Sequence, residues 1–346
     1  MMRLPPFQFR TPGTIADAVA WLAENPETTM ILAGGTDLLP NMKRRQQTPT
    51  TLLGLRGLRD ELSTIRDADG VVIGAAVTLA DLIASPEIQD RYRGLWQAAS
   101  QVATPPLRNM ATVGGNLCLD TRCTYYDQTY EWRKAIDFCM KRDGRTCWVA
   151  TSSPKCLAVS STDTAPMLQA LGASVTLAST RGTRVVPLDQ FYANDGIHYL
   201  TKRPEELVTA VTLPRADGWR SAYWKLRRRG SFDFPVAAAA VAAKLDGTRV
   251  IEARIVLGAV SSKPQQADRA ALLLQNHELT DELIAAVAAA ASELAKPMDN
   301  TDFELVWRKK MVTSLVGHAL HEVRGDDMRA RRRQLARQEL LSARPR

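Results

Sequence analysis

The stretch ILAGGTDLLPNMK, residues 31–43, joins an apolar strand to a glycine turn. The preceding residues extend the apolar run back to position 28, which predicts a short buried strand ending at Gly34 and Gly35. Glycines let backbone N–H groups approach an anion without a Cβ in the way, and the hydroxyl of Thr36 adds a donor. The turn is a candidate phosphate cradle, although Gly-Gly after a strand is also common in ordinary turns. It is not a Walker loop, and it lacks the spaced glycines of a dinucleotide-binding Rossmann turn.

A second glycine turn lies in ATVGGNL, residues 111–117, and offers the same chemistry. Two such turns could hold the two phosphates of one dinucleotide. The sequence alone does not say whether the two turns meet.

All five cysteines lie between positions 118 and 156, separated by gaps of 4, 15, 7 and 8 residues. Thiolates that converge on one point are what a metal centre requires. No CxxC occurs, so the spacing fits neither a zinc ribbon nor a thioredoxin-like redox pair. The segment predicts four ligands and one bystander around an iron–sulfur cluster, with a zinc site or unligated thiols as the alternatives. Spacing does not choose the four ligands among the five.

The composition is that of an ordinary soluble globular protein, with 45% apolar and 24% charged residues in a chain of 346. The N-terminal sequence resembles no signal peptide, and no apolar run approaches the roughly 20 residues of a membrane span. A cytoplasmic protein without membrane contact is expected. The net charge of +8 comes largely from residues 329–346, which predict a solvated or disordered tail or a docking arm for a partner subunit. Few aromatics accompany the basic residues, so nucleic-acid binding is not expected.

Periodicity and turn signals divide the chain into two units and a tail. Residues 14–24 predict an amphipathic helix, with Thr14 as a possible N-cap. Proline, glycine and charge cluster near 214–221, which places a boundary between residues 1–216 and 217–325, before the basic tail 326–346. The second unit predicts two strands joined at Asp246-Gly247, followed by helices at 280–296 and 302–324.

AGGTDLLPNMK and ATVGGNL together resemble the two flavin-binding segments of the FAD subunits of molybdenum hydroxylases. The resemblance covers nearly the whole chain. It implies an α+β fold in which a two-subdomain FAD-binding domain with an inserted iron–sulfur loop precedes a smaller α+β domain with an antiparallel sheet. It implies that the first flavin-binding set is Ile31, Leu32, Ala33, Gly34, Gly35, Thr36, Asp37 and Leu38. The second set is Thr112, Gly114, Gly115 and Asn116.

The resemblance also implies roles for Asp163 and Lys225. Asp163 would reach the adenosine or ribityl hydroxyls of FAD, whereas taken alone it reads as a helix cap. Lys225 would lie near the flavin ring, where a cation stabilises reduced flavin; the alternative is a solvated strand residue. The four histidines do not form a catalytic set, and His318 and His321 read as solvated or subunit-facing.

Asn116 and Asp163 are separated by the whole cysteine segment, about residues 117–157, where most of the family has a short connection. This insertion resembles the loop that carries a [4Fe-4S] cluster in the 4-hydroxybenzoyl-CoA reductases of the family, most closely at TRCTYYDQTYEWRKAIDFC. By that resemblance the ligands are Cys123, Cys139, Cys147 and Cys156, and Cys118 is the bystander.

The expected function is that of an electron-transfer subunit with one FAD and one [4Fe-4S] cluster. Its implied partners are a molybdenum-cofactor subunit, a [2Fe-2S] subunit and ferredoxin as electron donor. The implied complex would dehydroxylate 4-hydroxybenzoyl-CoA reductively to benzoyl-CoA. Two alternatives remain: a related hydroxylase subunit that passes electrons outward to an acceptor, and a zinc-stabilised binding protein whose glycine turns are only turns.

Overall fold

The computed structural model describes residues 3–342, with side-chain burial described through residue 335. The strands are β1 Gln8–Arg10, β2 Thr29–Leu32, β3 Thr51–Gly54, β4 Ile65–Ala68, β5 Gly70–Gly74, β6 Ser174–Ser179, β7 Gly182–Pro187, β8 Leu207–Leu213, β9 Trp219–Leu226, β10 Ala237–Asp246, β11 Arg249–Gly258 and β12 Gln265–Gln266. The helices are α1 Ile15–Glu24, α2 Leu38–Lys43, α3 Arg59–Leu62, α4 Leu79–Ala84, α5 Pro86–Arg91, α6 Arg93–Ser100, α7 Pro105–Arg108, α8 Val113–Leu117, α9 Tyr130–Ala135, α10 Thr164–Ala170, α11 Leu188–Phe191, α12 Asp268–Leu272, α13 Asp281–Leu294, α14 Leu305–Arg324 and α15 Arg329–Ser342.

A three-stranded parallel sheet, in the order β1-β3-β2, opens the chain. The helix predicted at 14–24 is confirmed as α1, and Thr14 caps it by accepting a hydrogen bond from the N–H of Asp17. Ala18 and Leu22 of α1 are buried in a small core with Leu53 of β3. Strand β2 ends at Leu32, which leaves residues 33–37 as the turn that leads into α2.

A five-stranded antiparallel sheet follows, in the order β4-β5-β8-β6-β7. It shares the largest core with α4, α6 and α10. Two stretches that read as helices in the sequence need correction here. TLADLIASPEI, residues 78–88, predicts one helix, but that helix is broken at Ser85, because Pro86 starts a new helix as its first residue. The sequence from residue 91 up to the paired prolines 105 and 106 also predicts a helix, but α6 ends at Ser100, and Pro105 and Pro106 occupy the first turn of α7.

The second unit is built on an antiparallel sheet in the order β12-β11-β10-β9. The hairpin predicted at Asp246-Gly247 is confirmed, and Gly247 has a positive φ of 59°. Along β10 the residues Ala238, Ala240 and Ala242 belong to the core of the first unit. The alternate residues of β10 are buried under α13 and α14. Small residues suit a strand that is covered on both faces, which explains the alanine-rich sequence of β10.

Two packed units, the second with an antiparallel sheet, confirm the expected fold class. Within the predicted basic tail, Arg329–Ser342 form helix α15. Arg332 holds this helix by stacking 4.1 Å from the centroid of the Trp224 ring and pairing with Glu322 at 2.5 Å. Residues 343–346 of the predicted tail lie outside the described residues. Between residues 3 and 342, no helix combines the length and apolar character needed to cross a membrane.

Candidate functional site

The first glycine turn is shaped by two requirements that only glycine meets. Gly35 has a φ of +70°, which side-chain-bearing residues rarely adopt. Gly34 packs so closely on the next segment that a Cβ would lie 1.9 Å from the carbonyl oxygen of Met110. Any larger residue at Gly34 would push the two segments apart.

The structure brings the two glycine turns together, although the second, predicted as a turn, is helical at Val113–Leu117 (α8), with Thr112 as its N-cap. Gly34 rests on the backbone of Met110 and Ala111, immediately before the second turn. A Cβ on Gly115 would lie 3.9 Å from the Cβ of Ala33. The contact that the sequence left open is therefore present, and the pair of turns forms one surface.

The two turns differ in how many backbone donors they leave for a ligand. In the second turn, the N–H of Gly114 donates to Ala75 at 2.9 Å and that of Gly115 to the Thr112 hydroxyl at 3.1 Å. In the first turn, the N–H groups of Gly34, Gly35 and Thr36 donate to no acceptor among residues 3–342. Residues 31–38 are all half-buried, as expected of a cradle reached from solvent. The first turn thus fits a pyrophosphate better than the second does.

Asn116 connects the second turn to Asp163 rather than pointing at open space. Its Oδ1 accepts hydrogen bonds from the hydroxyls of Thr162 at 2.7 Å and Thr164 at 2.6 Å. Because these threonines flank Asp163, the start of α10 is held against the second turn.

Asp163 is buried and bound by two side chains of the second unit. The Tyr223 hydroxyl donates to its Oδ1 at 2.8 Å, and Lys225 Nζ pairs with its Oδ2 at 3.0 Å. Burial raises the pKa of Asp163, and the charge of Lys225 opposes that rise. Each oxygen keeps one acceptor direction, so a ribityl hydroxyl remains possible as a further donor.

Lys225 is fully buried, and its ammonium group already has three acceptors. Besides Asp163, it donates to the carbonyls of Gln101 at 3.1 Å and Asp233 at 2.8 Å. An ammonium has three N–H donors, so in this arrangement Lys225 can act on a flavin only through its charge. Burial lowers the pKa of Lys225.

Lys225 also borders a cavity of about 610 Å³ that is walled in part by Trp96, Trp224 and Arg332. Neither glycine turn contributes to its wall. The structure therefore joins Lys225 to Asp163, but it does not bring Lys225 and the turns into one cavity.

The structure gathers four of the five cysteines around a single cavity. Cys123, Cys139, Cys147 and Cys156 all line it, and each is only 5–6% exposed. Tyr126, Trp148 and Val149 complete its apolar wall. Cys118 does not line this cavity. The four are the same residues that the family resemblance implies as ligands.

Four thiols that line one cavity are a donor set that either an iron–sulfur cluster or a zinc ion could use. In the part of the chain that the structure describes, no three His, Cys, Asp or Glu side chains are grouped closely enough to hold one metal ion. A zinc ion would draw its thiolates to about 2.3 Å from one centre, whereas an iron–sulfur cluster gives each thiolate its own iron. Burial raises the pKa of Cys123 to about 12 and that of Cys156 to about 11. Those thiols would ionise only on binding a metal.

Three side chains that sequence reasoning missed hold the cysteine loop in place. Arg133 is 1% exposed and donates to the carbonyls of Arg44 and Arg45, just beyond the first flavin segment. Lys141 donates to Asp120 at 2.7 Å. The side-chain amide of Asn300 donates to the carbonyl of Leu157 at 2.6 Å, and the main-chain carbonyl of Asn300 accepts from the N–H of Thr124. Their partners are distant in sequence, so no local signal could have found them.

The two C-terminal histidines make contacts within the second unit. The rings of His318 and Trp224 pack at a tilt with centroids 4.9 Å apart, and His321 Nδ1 lies 2.9 Å from Asp326 Oδ2. Burial lowers the pKa of His318 to about 4.

Comparisons with known proteins identify the class of this chain. The family described as the FAD binding domain in molybdopterin dehydrogenase matches residues 5–216. The CO dehydrogenase flavoprotein C-terminal domain matches residues 221–323. The chain thus combines a FAD-binding domain with a flavoprotein C-terminal domain.

The relatives agree over almost their whole length. The aldehyde oxidoreductase FAD-binding subunit of Escherichia coli is 33% identical, over 90% of this chain and 98% of the relative. The carbon monoxide dehydrogenase medium chain of Afipia carboxidovorans is 28% identical, over 92% and 96%. The carbon monoxide dehydrogenase structure from Hydrogenophaga pseudoflava superposes with a TM-score of 0.76 at 28% identity, over 93% of this chain and 98% of that one. The chain belongs to the FAD-binding subunits of the molybdenum hydroxylase family, and it is an oxidoreductase subunit.

Proposed function

We propose that this chain carries both FAD and a [4Fe-4S] cluster and serves as an electron-transfer subunit between them. The observation that carries the proposal is the single buried cavity lined by Cys123, Cys139, Cys147 and Cys156. When bound, the cluster supplies one-electron transfer and the flavin exchanges one or two electrons. FAD binding follows from the family; the cluster is the added claim.

The chain's own residues would bind and protect the two groups. The free N–H groups of residues 34–36 would bind the pyrophosphate of FAD, and Asp163 would accept from a sugar hydroxyl. Around the thiols, Tyr126, Trp148 and Val149 would exclude water, which keeps the medium around a charged cluster apolar. Lys141 is buried beside the cavity and would place a positive charge near the thiolates, although Asp120 offsets it.

The proposed assembly includes a molybdenum-cofactor subunit and a [2Fe-2S] subunit. We also propose that the first unit ends at residue 216 and that the protein is cytoplasmic. For the reaction, the cysteine-loop resemblance supports a 4-hydroxybenzoyl-CoA reductase that draws electrons from reduced ferredoxin. Electrons would then move inward, from the loop of this chain towards molybdenum.

A second candidate is favoured by the 33% identity to an aldehyde oxidoreductase subunit, which extends over 323 residues. That complex would oxidise an aldehyde and send electrons outward through this chain. The purified complex separates the two candidates. Turnover of 4-hydroxybenzoyl-CoA with reduced ferredoxin supports the reductase, and turnover of aromatic aldehydes with an oxidised dye supports the oxidising complex.

The cofactor claim is tested by an anaerobic visible spectrum with iron, acid-labile sulfide, zinc and FAD quantified on one sample. About four irons, four sulfides and one FAD are expected. Cys139→Ser should remove the cluster and leave FAD, while Cys118→Ser, the matched control outside the cavity, should keep both. FAD without iron in the unaltered chain, or loss of iron from Cys118→Ser alone, would contradict the assignment.

A further inference from the structure

Arg122 lies where the first flavin turn, the cysteine loop and the second unit meet. It is 6% exposed. Its guanidinium forms an ion pair with Asp37 of the first turn and donates to Asn41 Oδ1 at 3.1 Å. The same group lies 4.6 Å from the centroid of the Phe234 ring, which belongs to the second unit.

Arg122 also belongs to the cysteine loop, because it directly precedes Cys123. Asp127 Oδ2 accepts a hydrogen bond from the N–H of Cys123 at 3.3 Å, and Asp127 Oδ1 lies 3.4 Å from Arg122 NH1. A continuous set of contacts therefore runs from Cys123 through Asp127 and Arg122 to Asp37. Asp37 of the first turn and the main chain of Cys123 are thus linked through the buried Arg122 guanidinium and Asp127.

The contacts of the Arg122 guanidinium depend on whether the cysteine loop is ordered. A buried cation must keep its partners, since an unpaired buried charge is strongly destabilising. Between Cys118 and Leu157 the described regular structure is one six-residue helix, α9. The loop packs only a small core around its thiols. In such a segment, the free energy of metal binding drives the ordering of the chain.

We propose that Arg122 couples the binding of FAD to the occupancy of the thiol cavity. This inference rests on the proposed function. A loaded cavity fixes Asp127 and Arg122, which hold Asp37 and with it the turn that receives the pyrophosphate. An empty cavity loosens the same contacts, so FAD binds more weakly. The coupling is reciprocal: bound FAD should raise the affinity of the thiol cavity for its cluster by the same factor.

The test compares FAD affinity in two states of the full chain. FAD binding is followed by the quenching of its fluorescence, anaerobically, in iron-loaded protein and in protein depleted with a chelator. Depletion should weaken FAD binding of the unaltered chain by at least about fivefold, the lower end of measured couplings. In Arg122→Met the ratio between the two states should fall to within about twofold of one.

Two further variants keep the test decisive. Arg91→Met removes an arginine of α5 that pairs with Glu87 and Asp67, and it should retain the full coupling. Asp37→Asn breaks the same contact from the flavin side and should lose the coupling even if Arg122→Met fails to fold.

The outcomes separate this inference from the function on which it rests. Iron and sulfide present, with equal FAD affinity in both states, would overturn the coupling and leave the two-cofactor function standing. A coupling that survives in both Arg122→Met and Asp37→Asn would remove Arg122 from it. A purified chain that never contains iron would overturn the proposed function, and the coupling with it.

Discussion

Replacement of Lys225 by Met removes one half of the most deeply buried ion pair in the described part of the chain. The side chains of Lys225 and Asp163 are 0% and 4% exposed, and they meet at 3.0 Å. The pair connects β9 of the second unit to the start of α10 in the first. Its loss should therefore weaken the contact between the units as well as the flavin site.

The expected cost is about 3–5 kcal/mol in the free energy of unfolding at pH 7, because Asp163 is left charged in an apolar interior. The Tyr223 hydroxyl, 2.8 Å from its Oδ1, and the charge of Arg227 remain to stabilise the carboxylate. The carbonyl of Asp233 also loses its bond to Nζ. Neutralising the partner should recover part of the loss, so Lys225→Met with Asp163→Asn should be about 2 kcal/mol more stable than Lys225→Met alone.

Urea unfolding followed by tryptophan fluorescence measures both values, since Trp224 adjoins the pair. The pH dependence has a definite sign. Burial raises the pKa of Asp163, and without Lys225 only the Tyr223 hydrogen bond and the charge of Arg227 oppose that rise. A carboxyl whose folded-state pKa exceeds its unfolded value stabilises at low pH and loses that contribution as pH rises. The deficit of Lys225→Met should thus be largest near pH 8 and shrink towards pH 4.

Additive effects of the two substitutions, or a deficit independent of pH, would refute the reasoning. If the charge of Lys225 acts on the flavin, Lys225→Met should also show a lower flavin reduction potential than the unaltered chain.

Three other predictions follow from single contacts. Gly34→Ala should lower the FAD content and reduce the free energy of unfolding by about 1–3 kcal/mol, because the new Cβ would meet the backbone oxygen of Met110. Gly13→Ala is the control and should leave stability unchanged, because nothing lies within 4 Å of its Cβ position. Asn300→Ala should speed iron loss to a chelator several-fold, since the carbonyl of Leu157 loses its donor; an unchanged rate would contradict this. His318 has a pKa lowered to about 4, so its contribution to stability is lost as pH falls from about 6.5 through 4. Screening by solvent reduces that contribution to about 1–2 kcal/mol. In His318→Gln, the urea midpoint of unfolding should therefore depend less on pH over this range than it does in the unaltered chain.

The sequence predicted those features of the structure that depend on the preferences of neighbouring residues. The cap at Thr14, the hairpin at Asp246-Gly247 and the glycine turn at Gly34-Gly35 each follow from what neighbouring residues prefer. The break at Pro86 was missed because an apolar period continues across it, although the proline starts a new helix.

Contacts between distant segments could not be predicted in the same way. The adjacency of the two glycine turns depends on Gly34 packing against Met110, and nothing near either residue encodes the other. Lys225 shows a further limit. A lysine on a strand reads as solvated or as a flavin contact, whereas its three acceptors come from residues 101, 163 and 233.

The fold accommodates the cysteine insertion because other contacts hold the two ends of the insertion in place. An antiparallel bridge joins Arg122 to Val159, and Asn116 holds both Thr162 and Thr164. A loop whose ends already lie side by side adds little closure entropy to the fold, so the short connection of related subunits can be lengthened without moving Asp163. On this argument, loss of the cluster should leave the FAD site folded and weaken it chiefly through Arg122, which pairs with Asp37 of the first flavin turn.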